Sequence, residues 1–340
     1  MTFLGVNVSH FRVTLSAIVL SNAANSSENC SDSLKGIPYQ HLNLLLISIA
    51  LCLTGTLSAN PLLLVLILLK TRFRQETRYL LLANIMVSDL IFLLFNSFIA
   101  ISNAAQQCMP KLLCDAALIG LTIAYASSVI TITIMAIDTY VAVSLPLRYM
   151  SLVPPSRTIK LIMVIWILAS MYSFSLLTVI LARQPALSRQ QKLCIMLLTL
   201  DSAHFGYQLT LGVHIFLVGS TLACLSLVLS CYIMLYYKTR SSGIWNSVHS
   251  RARMTLLIHG IVLFLYFVPG LFIGITILFD GMHLINNSTR LWLNTINSHV
   301  FTMLPRLLCP FLYGLRYREL AGTVKSLFIV RRHRVHSINT

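Results

Sequence analysis

Seven apolar stretches run along this 340-residue chain, near residues 42–69, 78–101, 112–144, 159–181, 207–237, 254–279 and 291–314. A bilayer core about 30 Å thick needs about 20 predominantly apolar residues per helix, and each stretch reaches that length. Lipid offers no water to backbone N–H and C=O groups, so such spans must satisfy them internally as helices. Membrane barrel strands are shorter and alternate in polarity, which these do not. The stretches predict an all-α membrane protein, a single bundle of seven transmembrane helices within residues 41–315. Composition closes off the soluble alternative. With 57% hydrophobic and 10% charged residues, at a mean hydropathy of +0.81, the chain has more apolar surface than a soluble core can hide.

The net charge of +16 invites a nucleic-acid reading, and its placement argues against one. The first connection holds Lys70, Arg72, Arg74 and Arg78; the third holds Arg148, Arg157 and Lys160. The fifth holds Lys238, Arg240, Arg251 and Arg253, and the tail Arg316, Arg318, Lys325, Arg331, Arg332 and Arg334. That is 17 of the 25 Lys and Arg. The positive-inside rule then puts the odd connections and the tail in the cytoplasm and the N-terminus outside. The basic surface faces anionic membrane lipids and cytosolic partners, not nucleic acid.

Sequons at Asn7, Asn25 and Asn29 in residues 1–40, and at Asn286 and Asn287 in the last even connection, all fall on the expected outer face. Residues 1–40 read as an extracellular, glycosylated N-terminus; the apolar patch Val13 to Leu20 fits a signal peptide poorly. Of the eight cysteines, Cys30, Cys108, Cys114 and Cys194 face the oxidising side. Four cysteines allow three connectivities, and sequence leaves the choice open. A bridge from Cys114, which opens the third span, to Cys194 would pin the fourth connection over the mouth of the bundle. No metal-ligand spacing, nucleophile–base pair or phosphate loop occurs. No metal, cofactor or catalytic residue is therefore expected.

The order of motifs resembles the rhodopsin-like G-protein-coupled receptors over about residues 42–328. Gly55 and Asn60 carry it in the first helix, and Asn84 and Asp89 in the second. Cys114 and the run Met135 to Val143 carry it in the third, followed by Pro146-Leu147-Arg148-Tyr149. Trp166, Pro269 and Pro310-Phe311-Leu312-Tyr313 complete it. Within that family, Thr255-Leu256-Leu257-Ile258-His259 and the stretch from Pro310 to Arg316 are similar to olfactory receptors. The resemblance implies a heterotrimeric G protein as partner and a small, odorant-like ligand.

It also implies site residues. The ligand cavity falls on Leu121, Thr122 and Tyr125 of the third helix, Phe216 and Ser220 of the fifth, Phe267, Leu271 and Gly274 of the sixth, and His299 and Met303 of the seventh. Leu121 stands where amine receptors place an acid, which argues for an uncharged, mostly apolar molecule. The activation switch falls on Asp138, Thr139, Tyr140, Tyr232, Pro269, Cys309, Pro310 and Tyr313. Two of these depart from the family. Thr139 replaces the Arg between the acid and Tyr, and Cys309 replaces the Asn before Pro310. Threonine cannot make the bidentate or stacking contacts of arginine, so ordinary G-protein coupling is weakened. A second reading follows, a receptor that signals poorly and serves as a partner subunit.

Asp89 and Arg306 lie deepest in the bundle. Each costs about 2.5–3.5 kcal/mol at the centre of an inserted helix, so each needs a partner. Helices two and seven are neighbours in this family. The guanidinium of Arg306 is expected to pair with Asp89 where relatives hold sodium, with Ser128 nearby. The seventh span has no Lys for a retinal Schiff base, and one charge pair is thin provision for a transport path. Beyond it, residues 316–340 read as a short amphipathic eighth helix and cytoplasmic tail, with Leu320, Val324, Leu327 and Phe328 toward lipid.

Overall fold

The structure is a computed structural model of the chain. It describes residues 39–105, 109–183, 190–191, 194, 207–241, 250–282, 284–286, 289, 292–293, 296–316 and 322. In chain order the elements are α1 (Tyr39–Leu69), the short α2 (Thr71–Arg74), α3 (Thr77–Ala104), β1 (Met109–Pro110), α4 (Lys111–Ser144), the short α5 (Pro146–Leu152) and α6 (Pro155–Arg183). There follow β2 (Gln190–Gln191), α7 (Tyr207–Ser241), α8 (Ser250–Gly281), a π-helical turn (Asn297–Phe301) and α9 (Met303–Arg316). The sequons at Asn7, Asn25, Asn29 and Asn287, Cys30, Cys108 and the expected eighth helix apart from Arg316 and Gly322 lie outside the described residues, while Asn286 is exposed.

These elements make a seven-helix membrane bundle, the π turn and α9 together forming the seventh helix. Among the described residues, five helices are long and apolar enough to cross a membrane, with segments Ile49–Leu69, Thr77–Asn103, Leu112–Ser144, Val218–Lys238 and Leu257–Thr276. The outward faces of the bundle helices carry exposed Leu51, Leu94, Met163 on α6, Ile233 and Phe264, an apolar surface that only lipid matches. The packing closes a ring. α1 lies between α3 and α9, α8 between α7 and α9, and the long α4 runs through the middle against α3, α6 and α7.

Local chemistry sets the breaks. α4 stops at Leu145 because Pro146 follows, and the residue before proline is pushed out of helical conformation. Leu145 sits at φ −132°, ψ 57°, and Pro146 then opens α5 in its first turn, where a missing N–H costs nothing. At this end of the bundle the Thr77 hydroxyl bonds Thr158 at 2.8 Å and donates to the Val153 carbonyl at 3.1 Å, tying α3 to α6.

Midway along, the Asn84 amide donates to Thr131 at 2.8 Å and accepts from the Trp166 indole at 2.9 Å, linking α3, α4 and α6. Such bonds in lipid contribute about 0.6 kcal/mol each. Close packing does more. A Cβ at Gly120 would overlap the Phe95 ring, so glycine is what lets α4 approach α3. Gly120→Ala should therefore destabilise the bundle by about 1–3 kcal/mol. Thermal unfolding in micelles should show a lowered melting point that Phe95→Leu restores in part; an unchanged melting point would refute the close approach.

Candidate functional site

Two buried charges meet at the centre of the bundle. Arg306 Nε on α9 lies 3.5 Å from Asp89 Oδ1 on α3, and neither side chain has any exposed surface. The Arg306 guanidinium stacks 3.4 Å over the Phe92 ring, one turn along from Asp89, and Nη1 donates to its own helix at the Thr302 carbonyl. Nε and Nη2 make no hydrogen bond among the described residues, so Arg306 meets Asp89 as an ion and not as a bidentate fork. Asp89 has two more partners. Ser128 of α4 donates to Oδ1 at 3.4 Å, and Tyr266 of α8 donates to Oδ2 at 2.5 Å. Four of the seven helices thus converge on one carboxylate.

Above this pair, Leu121, Tyr125 and Met303 pack in one apolar cluster with Phe92, Leu93 and Ala124. Phe267 belongs to the larger cluster toward the α3–α6 tie, where Tyr125 also packs against it. Leu271 and Gly274 are half-buried; a Cβ on Gly274 would come 3.3 Å from Val218, so that glycine faces α7. Thr122 is turned away from these residues. Its hydroxyl donates to Ser173 of α6 at 3.1 Å and to the Ile119 carbonyl at 2.9 Å. Phe216 and Ser220 lie exposed on α7, and the side chain of His299 is outside the described residues.

At the end of the bundle nearest this cluster, a disulfide and a side-chain clasp hold Cys194. Cys114 at the head of α4 is bridged to Cys194. The Asn103 amide at the end of α3 clasps the same residue, donating to the Cys194 carbonyl at 3.1 Å and accepting from its N–H at 2.9 Å. β1 and β2 pair antiparallel beside it, Met109 opposite Gln191 and Pro110 opposite Gln190.

At the opposite end, the base of α4 is rewired around Thr139. The Thr139 hydroxyl folds back on the Met135 carbonyl at 2.8 Å, and Asp138 accepts from the Tyr149 hydroxyl of α5 at 2.8 Å. Tyr140 is half-buried beside them. Tyr313 and Cys309 of α9 are buried; the Tyr313 hydroxyl approaches Met135 Sδ at 3.7 Å. Tyr232 of α7 packs against the buried His259 of α8, ring centroids 5.9 Å apart.

Reasoning from sequence missed Tyr266, Phe92, Asn103 and Tyr149 as site residues. Phe92 and Tyr149 had a signal, one lying a turn from Asp89 and the other closing Pro146-Leu147-Arg148-Tyr149. Tyr266 had none, because an aromatic inside an apolar run reads equally as lipid-facing.

Comparison with known proteins places the chain. The seven-transmembrane receptor model of the rhodopsin family matches residues 59–322. The chain is 32% identical over 311 residues to the human probable G-protein coupled receptor 148, covering 92% of this chain and 89% of that one. It is 27% identical over 303 residues to rat olfactory receptor 1, covering 82% and 87%, and 30% identical over 214 residues to rat somatostatin receptor type 4, covering 62% and 53%. These relatives are receptors and not enzymes. The protein belongs to the rhodopsin family of seven-transmembrane, G-protein-coupled receptors.

Proposed function

We propose that this receptor converts binding of a small, mostly apolar, odorant-like ligand into rearrangement of its cytoplasmic face. It would act at the plasma membrane with the disulfide-bridged end outside, by population shift between two packings of the bundle. The observation that carries the reading is an apolar cluster whose adjoining charges are spent on each other. Leu121, Tyr125 and Met303 pack in an apolar cluster below the Cys114–Cys194 bridge, and Asp89 and Arg306 at its edge are buried against each other. A ligand lodged there would find shape and apolar contact, beside two charges already matched to each other. Arg306 would act as a built-in cation where relatives hold sodium. Asn7, Asn25, Asn29, Asn286 and Asn287 would carry glycans on the outer side, with residues 316–340 on the inner leaflet.

Thr139 favours a second reading, a weakly coupled receptor that works as a partner subunit. Both groups that would handle a G protein at the base of α4 have local partners, Met135 for Thr139 and Tyr149 for Asp138. Basal G-protein activation in cells, wild type against Thr139→Arg at matched surface expression, separates the two. The receptor reading expects a small wild-type signal that the variant raises about tenfold, the worth of one charge-assisted contact at 1.4 kcal/mol per decade. A silent wild type with a signalling variant supports the partner-subunit reading. Silence in both removes G-protein signalling from the proposal.

A further inference from the structure

α8 carries its own hinge. Pro269 has no N–H and removes one hydrogen bond from the helix ladder, and Gly270 follows it. A Cβ on Gly270 would sit 3.2 Å from the Tyr125 hydroxyl and 3.0 Å from Thr221, so glycine here admits α4 and α7 against the weakened point. Three residues before Pro269, on the side of the hinge that leads to Ser250, stands Tyr266, with no exposed surface. Both ends of that residue are held by other helices. Its hydroxyl donates to Asp89 of α3 at 2.5 Å, and its carbonyl accepts from Tyr125 of α4 at 3.2 Å.

We propose that Tyr266 is the latch that keeps the 250–265 half of α8 docked, and that it joins the apolar zone at Tyr125 to the Asp89–Arg306 pair. A swing of that half about Pro269 and Gly270 must draw Tyr266 off Asp89. Asp89, Arg306 and Tyr266 have no exposed surface, so the freed hydroxyl and carboxylate gain no bulk water until the helices part, and the latch is a threshold and not a gradual restraint. Asp89 can release Tyr266 without becoming a bare buried charge, because Arg306 and Ser128 remain beside it. That is what a reversible latch requires: one partner leaves and the charge stays compensated. Displacement of Tyr125 from above breaks the second hold on the same residue. Tyr266 is a positioning residue in this scheme, touching helices and not ligand.

The inference rests on the receptor reading for its purpose but is tested without ligand or G protein, so either can fail alone. Hydrogen–deuterium exchange of the full chain in lipid nanodiscs, read by mass spectrometry, gives local opening helix by helix. Tyr266→Phe should raise exchange of residues 250–265 about tenfold while α3 and α4 keep wild-type protection. Ser173→Ala, which removes a hydroxyl bond between α4 and α6, should leave residues 250–265 unchanged. If Tyr266→Phe is not recovered from the membrane, Tyr125→Phe removes the other hold and is read in the same way. Unchanged exchange in α8, or an equal rise in every helix, overturns the latch.

Discussion

Asp89→Asn and Arg306→Gln should each lower the stability of the receptor by about 3–5 kcal/mol, because each leaves a buried charge without its partner. The double variant should cost less than the sum by about 1–3 kcal/mol, since with both charges gone nothing is left uncompensated. Thermal unfolding in micelles, run as a four-way cycle, measures that difference. Strict additivity would show that the two groups, 3.5 Å apart, do not sense each other. The geometry shapes the expectation. Arg306 is also held by the Phe92 face and the Thr302 carbonyl, and Asp89 by Ser128 and Tyr266. Neither becomes wholly orphaned when the other is changed, which places each single cost toward the lower figure. The same cycle in sodium and in potassium chloride tests the built-in cation: wild type should melt alike in both, and Arg306→Gln should gain stability in sodium.

Cys114→Ser or Cys194→Ser should cost about 2–5 kcal/mol, and the two together no more than either alone. The bridge closes a sequence separation of 80 residues, so in the unfolded chain it removes a large loop's worth of freedom. In the folded state the Asn103 clasp stays. Without the bridge, residue 194 should therefore stay held to Asn103 at low temperature and detach on warming, with cell-surface receptor by antibody staining falling steeply between about 30 and about 37 °C. Equal surface levels at both temperatures would show that the clasp and the β1–β2 pair suffice.

Sequence alone revealed much of the fold because lipid is an exacting solvent. Seven apolar runs, two charges that had to be compensated and a basic bias in alternate connections follow from the cost of polarity in hydrocarbon. What stayed hidden lies where that cost is silent. Tyr266 and Phe92 are apolar enough for lipid or core, and only the rotation of each helix decides between them. Thr122 shows the same ambiguity: a hydroxyl one residue from Leu121 can face the cavity or a neighbour, and here it faces Ser173. The π turn at Asn297–Phe301 adds a further difficulty. Its wider winding rotates the backbone before it relative to α9, so a count of about 3.6 residues per turn back from Pro310 does not carry through it.

The rewired base of α4 has a kinetic consequence. With Asp138 turned to Tyr149 and Thr139 to Met135, neither side chain offers a cation at the middle of that end. The exposed Lys70, Arg74, Arg148 and Lys160 around it carry positive charge. An approaching acidic protein is drawn in by the periphery and then finds little at the centre to hold it. Such a surface favours fast arrival and fast departure, with arrival slowed by salt and residence governed by shape.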